Sequence, residues 1–66
     1  MENTIRVERA IKRMTQADLA ERIGTTRQTI HNIEAGKFTP SVDLALKIAR
    51  YFGKQVEDIF KLEEND

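Results

Sequence analysis

Apolar residues recur at helical spacing along this chain, and the clearest pair of segments lies between Gln16 and Ala35. Leu19 and Ile23 give the first segment one apolar face at a four-residue interval, and Ile30 and Ile33 give the second a face at a three-residue interval. Those faces must meet, and Ala20 is small where a larger side chain would hold two crossing helices apart. Gly24 ends the first segment, because glycine takes the left-handed conformation that closes a helix at little steric cost. Thr25 and Thr26 are both able to cap the next helix. Thr25 to Gln28 has the spacing of a capping box, so the second helix starts near Arg27.

The flanking stretches read the same way. Asn3 can cap a helix running to about Arg13, with Val7, Ala10 and Ile11 as its apolar stripe by periodicity. Thr15 caps the helix from Gln16 to about Arg22, with the charge of Asp18 facing the positive end of the helix dipole. Gly36 stops the second motif helix, and Phe38-Thr39-Pro40 forms a loop because proline restricts the residue before it. Ser41 caps a helix from Val42 to Phe52 that carries Leu44, Ile48 and Phe52 on one stripe, with Ala45 and Ala49 beside it. After Gly53 a short fifth helix near Val56 to Phe60 offers Val56, Ile59 and Phe60, with Gln55 a poorer cap than serine or aspartate. The tail Lys61 to Asp66 reads as mostly solvated. The pattern is therefore all-α, with five helices.

Composition narrows the function classes. Sixty-six residues leave room for one small domain spanning 1–66, whose core alone supplies about 3 to 5 kcal/mol, and no room for a separate effector-binding module. There is no cysteine and a single histidine, His31, so neither a disulfide nor a zinc site is expected, and no other cofactor. No apolar run reaches the roughly 18 residues of a membrane span, and no signal-peptide segment opens the chain, so a cytoplasmic location is expected. An enzyme is not expected either: there is no Gly-rich phosphate loop and too little chain for a roomy pocket. Eleven basic residues balance eleven acidic ones. Residues 1–40 nevertheless hold seven Lys/Arg against five Asp/Glu, and residues 41–66 four against six, so the motif half is the positive one.

Six positions at fixed offsets, Leu19, Ala20, Ile23, Gly24, Ile30 and Ile33, make the stretch 16–35 resemble the helix-turn-helix of the Cro/CI-type (Xre) DNA-binding family, which includes phage repressors. Beyond the motif the likeness extends to Thr15-Gln16, to Arg27-Gln28-Thr29-Ile30, to Ile33-Glu34-Ala35-Gly36-Lys37 and to Pro40-Ser41. Thr25 stands where many members have an aliphatic residue, and Arg13 and Glu8 where glycine and leucine are common. The resemblance implies a five-helix, lambda-repressor-like domain with its recognition helix at about 27–35. Some short relatives also pair their chain ends as a β-ribbon, which Met1 to Asn3 and Lys61 to Glu63 are placed to form. The family register turns Ile5, Glu8, Arg9 and the stem of Lys12 inward, in competition with the Val7/Ile11 stripe.

On a rod starting at Arg27, Ile30, Ile33 and Glu34 fall on one side and Gln28, His31, Asn32 and Ala35 on the other. The resemblance sends the N-terminal end of that polar face into the major groove. Arginine can donate two bonds to guanine, and glutamine or asparagine can pair with adenine, so Arg27, Gln28 and Asn32 are expected base readers, joined by His31. Gln16, Thr26, Thr29 and Lys37 are expected to hold phosphates. Glu34 lies on the inward side, and the resemblance pairs it with Arg9 in a structural ion pair. The function implied is a sequence-specific double-stranded DNA-binding transcriptional regulator, a repressor binding a palindromic operator as a homodimer. Phe38, Val56, Ile59 and Phe60 are the expected interface, because they offer more apolar area than so small a domain buries alone, with filling of the monomer core the competing role for Ile59 and Phe60. The rival reading is a protein-binding adaptor that keeps the fold without binding DNA.

Overall fold

Ile5, Leu19, Ile30, Ile33, Ile48 and Ile59 come from five different helices and meet in one sealed cluster. Burying each of these side chains is worth about 1.5 to 3 kcal/mol, so this cluster sets how the helices stack. The computed structural model describes residues 1–64. The last two residues of the expected solvated tail lie outside the described residues, whereas positions 61–64 are exposed. In chain order the elements are β1 (Glu2–Asn3), α1 (Ile5–Ile11), α2 (Gln16–Ile23), α3 (Arg27–Glu34), α4 (Val42–Phe52), α5 (Val56–Ile59) and β2 (Phe60–Lys61). The fold is thus five helices with a short terminal hairpin, β1 and β2 pairing antiparallel with Glu2 opposite Lys61 and Asn3 opposite Phe60.

The α2–turn–α3 unit is closed by its own caps. The Thr15 hydroxyl accepts from Asp18 N–H at 3.0 Å and the Asp18 carboxylate accepts from Thr15 N–H at 3.0 Å, a reciprocal box. The bond from Thr15 N–H, with the Thr15 hydroxyl second, holds the Asp18 carboxyl below the usual carboxylate range. Gly24 takes φ 84°, which turns its own N–H and that of Thr25 back onto the Ala20 carbonyl, both at 2.9 Å. That geometry corrects the expected capping box at Thr25. Its N–H is engaged in ending α2, and it is extended Thr26 whose hydroxyl accepts from Thr29 N–H at 3.1 Å and starts α3.

The first helix also departs from its expected bounds. Asn3 belongs to β1, Thr4 is the N-cap residue, and α1 ends at Ile11, short of Arg13. Asn3 still serves the helix start, since its Oδ1 accepts from Ile5 N–H at 3.3 Å while its Nδ2 donates to the Ile33 carbonyl at 2.9 Å. The Val7/Ile11 stripe does not face the core: the two are 57% and 70% exposed, whereas Ile5 and Glu8 are buried. Tertiary packing overrides periodicity here because α1 buries an ionic face. The Glu8 carboxylate accepts from Lys54 Nζ at 2.7 Å, which raises the Lys54 pKa.

Arg13 is the one non-glycine residue at positive φ, 55°, among those described. Holding an L-residue there costs about 1 to 2 kcal/mol, while glycine at the same place adds about 0.5 to 1 kcal/mol of unfolded-state entropy. Arg13→Gly is therefore expected to stabilise the fold by about 0.5 to 1 kcal/mol in urea unfolding. A clear loss of stability in that measurement would mean that the arginine side chain supports the turn.

Candidate nucleic-acid interface

Each turn of α3 contributes to two faces of opposite character. Ile30 and Ile33 are sealed in the core, while Arg27, Gln28, His31 and Ala35 are exposed and Asn32 is half-buried. Gln28 Nε2 donates to Asn32 Oδ1 at 3.0 Å across one helical turn. At the head of the helix the Thr26 and Thr29 hydroxyls lie 2.9 Å apart and share a hydrogen bond. At its end Gly36 N–H returns to the Ile33 carbonyl and Lys37 N–H to the Asn32 carbonyl, leaving the Lys37 side chain in solvent.

Behind this face Arg9 and Glu34 form the bidentate pair that the resemblance implies. Arg9 Nε donates to Glu34 Oε2 at 2.6 Å and Nη2 to Oε1 at 3.0 Å, with side chains only 14% and 8% exposed. Hydrogen bonding to Glu34 raises the Arg9 pKa. Arg9 Nη1 also donates to the Met14 carbonyl at 2.8 Å, and Gln16 Nε2 donates to Glu34 Oε1 at 3.3 Å. Gln16, expected to hold a phosphate, is thus half-buried with one amide proton turned inward. Arg6, Arg9, Gln16, His31, Glu34 and Ala35 together line an open depression beside the exposed face of α3. Arg6 was not legible as part of this surface, because nothing in its own spacing ties α1 to the side of α3.

The sequence pattern of the family described as helix-turn-helix matches residues 5–59, from the first core isoleucine to the last. The chain belongs to that family, in its Cro/CI (Xre) type. Among curated relatives it is 48% identical over 66 residues to an uncharacterised HTH-type transcriptional regulator of Methanocaldococcus jannaschii, covering all of both chains. It is 47% identical to another from Archaeoglobus fulgidus, covering all of this chain and 93% of the relative. A third, YgzD of Bacillus subtilis, is 44% identical over the full length of both. Among solved structures it resembles the clp gene regulator ClgR of Corynebacterium glutamicum with a TM-score of 0.75 and 27% identity. That match covers 83% of this chain and 58% of ClgR. Among the described residues no helix of this family member is long and apolar enough to cross a membrane, and no group of His, Asp and Glu is placed to hold a metal ion.

The expected dimer residues divide. Ile59 is sealed in this chain's own core, 0% exposed, which removes it as an interface residue, and Phe60, 7% exposed, belongs to the same core while also lining the groove described below. The reason is the hairpin: α5 is one turn long and leads directly into β2, whose pairing with β1 draws both side chains inward. Val56 is half-buried and Phe38 exposed. The large exposed apolar side chains on that flank are instead Val42, Leu46 and Leu62, which with Pro40, Ala45 and Val56 line an apolar groove.

The ionic tie behind α3 gives a direct test. Removing Arg9 leaves a nearly buried carboxylate with Gln16 as its remaining side-chain donor. Arg9→Ala is expected to cost about 3 kcal/mol, toward the low end for a broken buried pair, because that donor persists. Glu34→Ala should cost a similar amount, and in chemical unfolding Glu34→Gln should fall between it and the parent. Equal stability of all three variants and the parent would show that the pair contributes nothing.

Proposed function

We propose that this helix-turn-helix protein is a sequence-specific double-stranded DNA-binding regulator of transcription, acting as a repressor by occupying an operator as a two-fold dimer. The observation that carries the reading is the side-by-side exposure of Arg27 and Gln28 at the head of a helix whose opposite face is sealed in the core. Such a helix enters a major groove as a rigid unit, with guanidinium chemistry suited to guanine and carboxamide chemistry suited to adenine. His31 follows on the same face, within reach of the next base pair or phosphate, and Asn32 lies beside Gln28, to which it is bonded. Lys37 and the exposed Thr26 hydroxyl flank the helix ends as phosphate contacts, with Thr29 and the outer amide proton of Gln16 behind them.

The dimer reading follows from information. One helix in one groove contacts too few base pairs to stand out in a genome, and two copies on half-sites about 34 Å apart double the readout. The groove around Val42, Leu46 and Leu62 supports a second copy of this chain as its occupant, because Thr39 and Pro40 at its edge belong to the loop leaving α3. A contact there would hold the two recognition helices at a fixed separation. Val7 and Ile11 also expose apolar area, but as two residues one turn apart on the outside of α1.

Two measurements test these readings. Across a panel of single-base operator variants, Arg27→Ala and Gln28→Ala should each lose about 1 to 3 kcal/mol of discrimination at particular base pairs. Lys37→Ala should instead weaken all sequences alike and lower the salt slope by about one. Gel retardation with no binding to any genomic fragment at low salt would favour the protein-binding adaptor. In sedimentation at micromolar concentration the parent should be a dimer, alone or on a palindromic site, and Leu46→Glu a folded monomer. A parent that stays monomeric in both conditions would end the dimer reading.

A further inference from the structure

We propose that Asn32 is a positioning residue: it holds the Gln28 carboxamide in its reading orientation, and Gln28 alone of the two contacts a base, an adenine. The inference rests on the DNA-binding reading above and sharpens it. Gln28 is exposed, whereas Asn32, one turn further along the same helix, is half-buried beside it. The bond between them runs from Gln28 Nε2 to Asn32 Oδ1 at 3.0 Å. A primary carboxamide has two amide protons, one on the same edge as its oxygen and one on the opposite edge. We assign Asn32 the opposite proton, which leaves the edge carrying Oε1 and the remaining N–H free. That edge is the one that matches adenine, whose major-groove side offers an acceptor at N7 and a donor at N6.

The arrangement also settles an entropic question. A glutamine on a helix surface samples many rotamers, and freezing them on binding weakens the contact it makes. Asn32 fixes the side chain before DNA arrives, at no loss of reading capacity. Its own Oδ1 already accepts from Gln28 and its side chain is half-buried, so Asn32 is the poorer placed of the two to read a base.

Binding to duplexes selected from a random pool, then substituted one base pair at a time, tests this at pH 7 and fixed salt. Gln28→Ala should lose about tenfold or more in discrimination at one A·T pair. Asn32→Ala should lose about three- to tenfold at that same pair and nowhere else, because pre-organisation is lost and not a contact. The double variant should be no less selective than Gln28→Ala. Asn32→Asp keeps an accepting oxygen, so it should bind every sequence more weakly through charge repulsion yet retain the parent's discrimination at that pair. All four changes are on the solvent side of α3, and unchanged thermal unfolding verifies that the variants are folded. The inference is overturned if Asn32→Ala relaxes a different base pair, if the two single effects add, if Asn32→Asp behaves like Asn32→Ala, or if either alanine variant reads as the parent does. A parent that selects no sequence would bring down the DNA-binding reading and this one together. A selective parent with any of the other outcomes would overturn this one alone.

Discussion

The Arg9 guanidinium is where the orientation of α3 is decided. It takes both oxygens of Glu34, at the end of that helix, and the carbonyl of Met14, in the turn between α1 and α2. Gln16, the first residue of α2, adds its amide to the same carboxylate. Three helices and one turn therefore converge on one ion pair. Isoleucine packing fixes how close the helices lie but tolerates small rotations, since apolar contact has no direction. A bidentate ion pair does have direction, and it ties the rotation of α3 about its own axis to the start of α2. The desolvation of two nearly buried charges is offset only while all of these bonds are made, so the network has a single arrangement that works.

Both of the ionic ties that the inner face of α1 makes begin on adjacent residues and end on different elements. Glu8 reaches Lys54, just past α4, and Arg9 reaches the end of α3. The helix works as a strap across the bundle. The two ties are unequal: Lys54 is 44% exposed, so the Glu8 pair is screened by solvent and contributes less than the Arg9 pair. An ionic inner face also explains why Val7 and Ile11 are left in solvent, as a helix of seven residues has one face to bury. The hairpin completes the enclosure, with Asn3 bonded to the Ile33 carbonyl from the strand side.

The same division separates the elements that were legible in the sequence from those that were not. The helices α2 to α4 were readable because their caps and their apolar spacing agree: Thr15 with Asp18, Gly24, and Ser41 before Val42 all act locally. The Thr25 cap was misplaced by one residue because both threonines have the chemistry, and only the backbone path out of Gly24 decides between them. The facing of α1 was not decidable from periodicity, since its partners Lys54 and Glu34 are 46 and 25 residues away. Family likeness supplied the Arg9 side of that answer, and nothing local supplied Lys54. Whether Ile59 and Phe60 face the core or a partner was not decidable from spacing, because the hairpin that folds them inward is two residues per strand, too short to leave a pattern. The polar face of α3 was legible residue by residue. The Gln28 to Asn32 bond within it was not, because spacing permits such a pair without requiring it.

A chain of zero formal charge is an unpromising partner for a polyanion until its charges are sorted by what they already touch. Glu8 and Glu34 are held by Lys54 and Arg9, Asp18 by the Thr15 cap and Asp43 by the Ser41 hydroxyl at 2.7 Å. Three of the five acidic residues of the motif half, Glu8, Asp18 and Glu34, thus have structural partners, which removes part of their repulsion from the face of α3. Arg27 and Lys37 stand exposed at either end of that helix and Arg6 at its side, without a partner among the described residues. Few phosphates are neutralised by so few cations, and each contributes a salt slope of only about 0.9. On the proposed reading, such a protein has little non-specific affinity with which to be distracted. Its hold on DNA must then come from base contacts and from the second copy. That places a premium on a recognition helix whose axis and side chains are fixed before binding, which is what Arg9 does for the helix as a whole and Asn32 for a single reader.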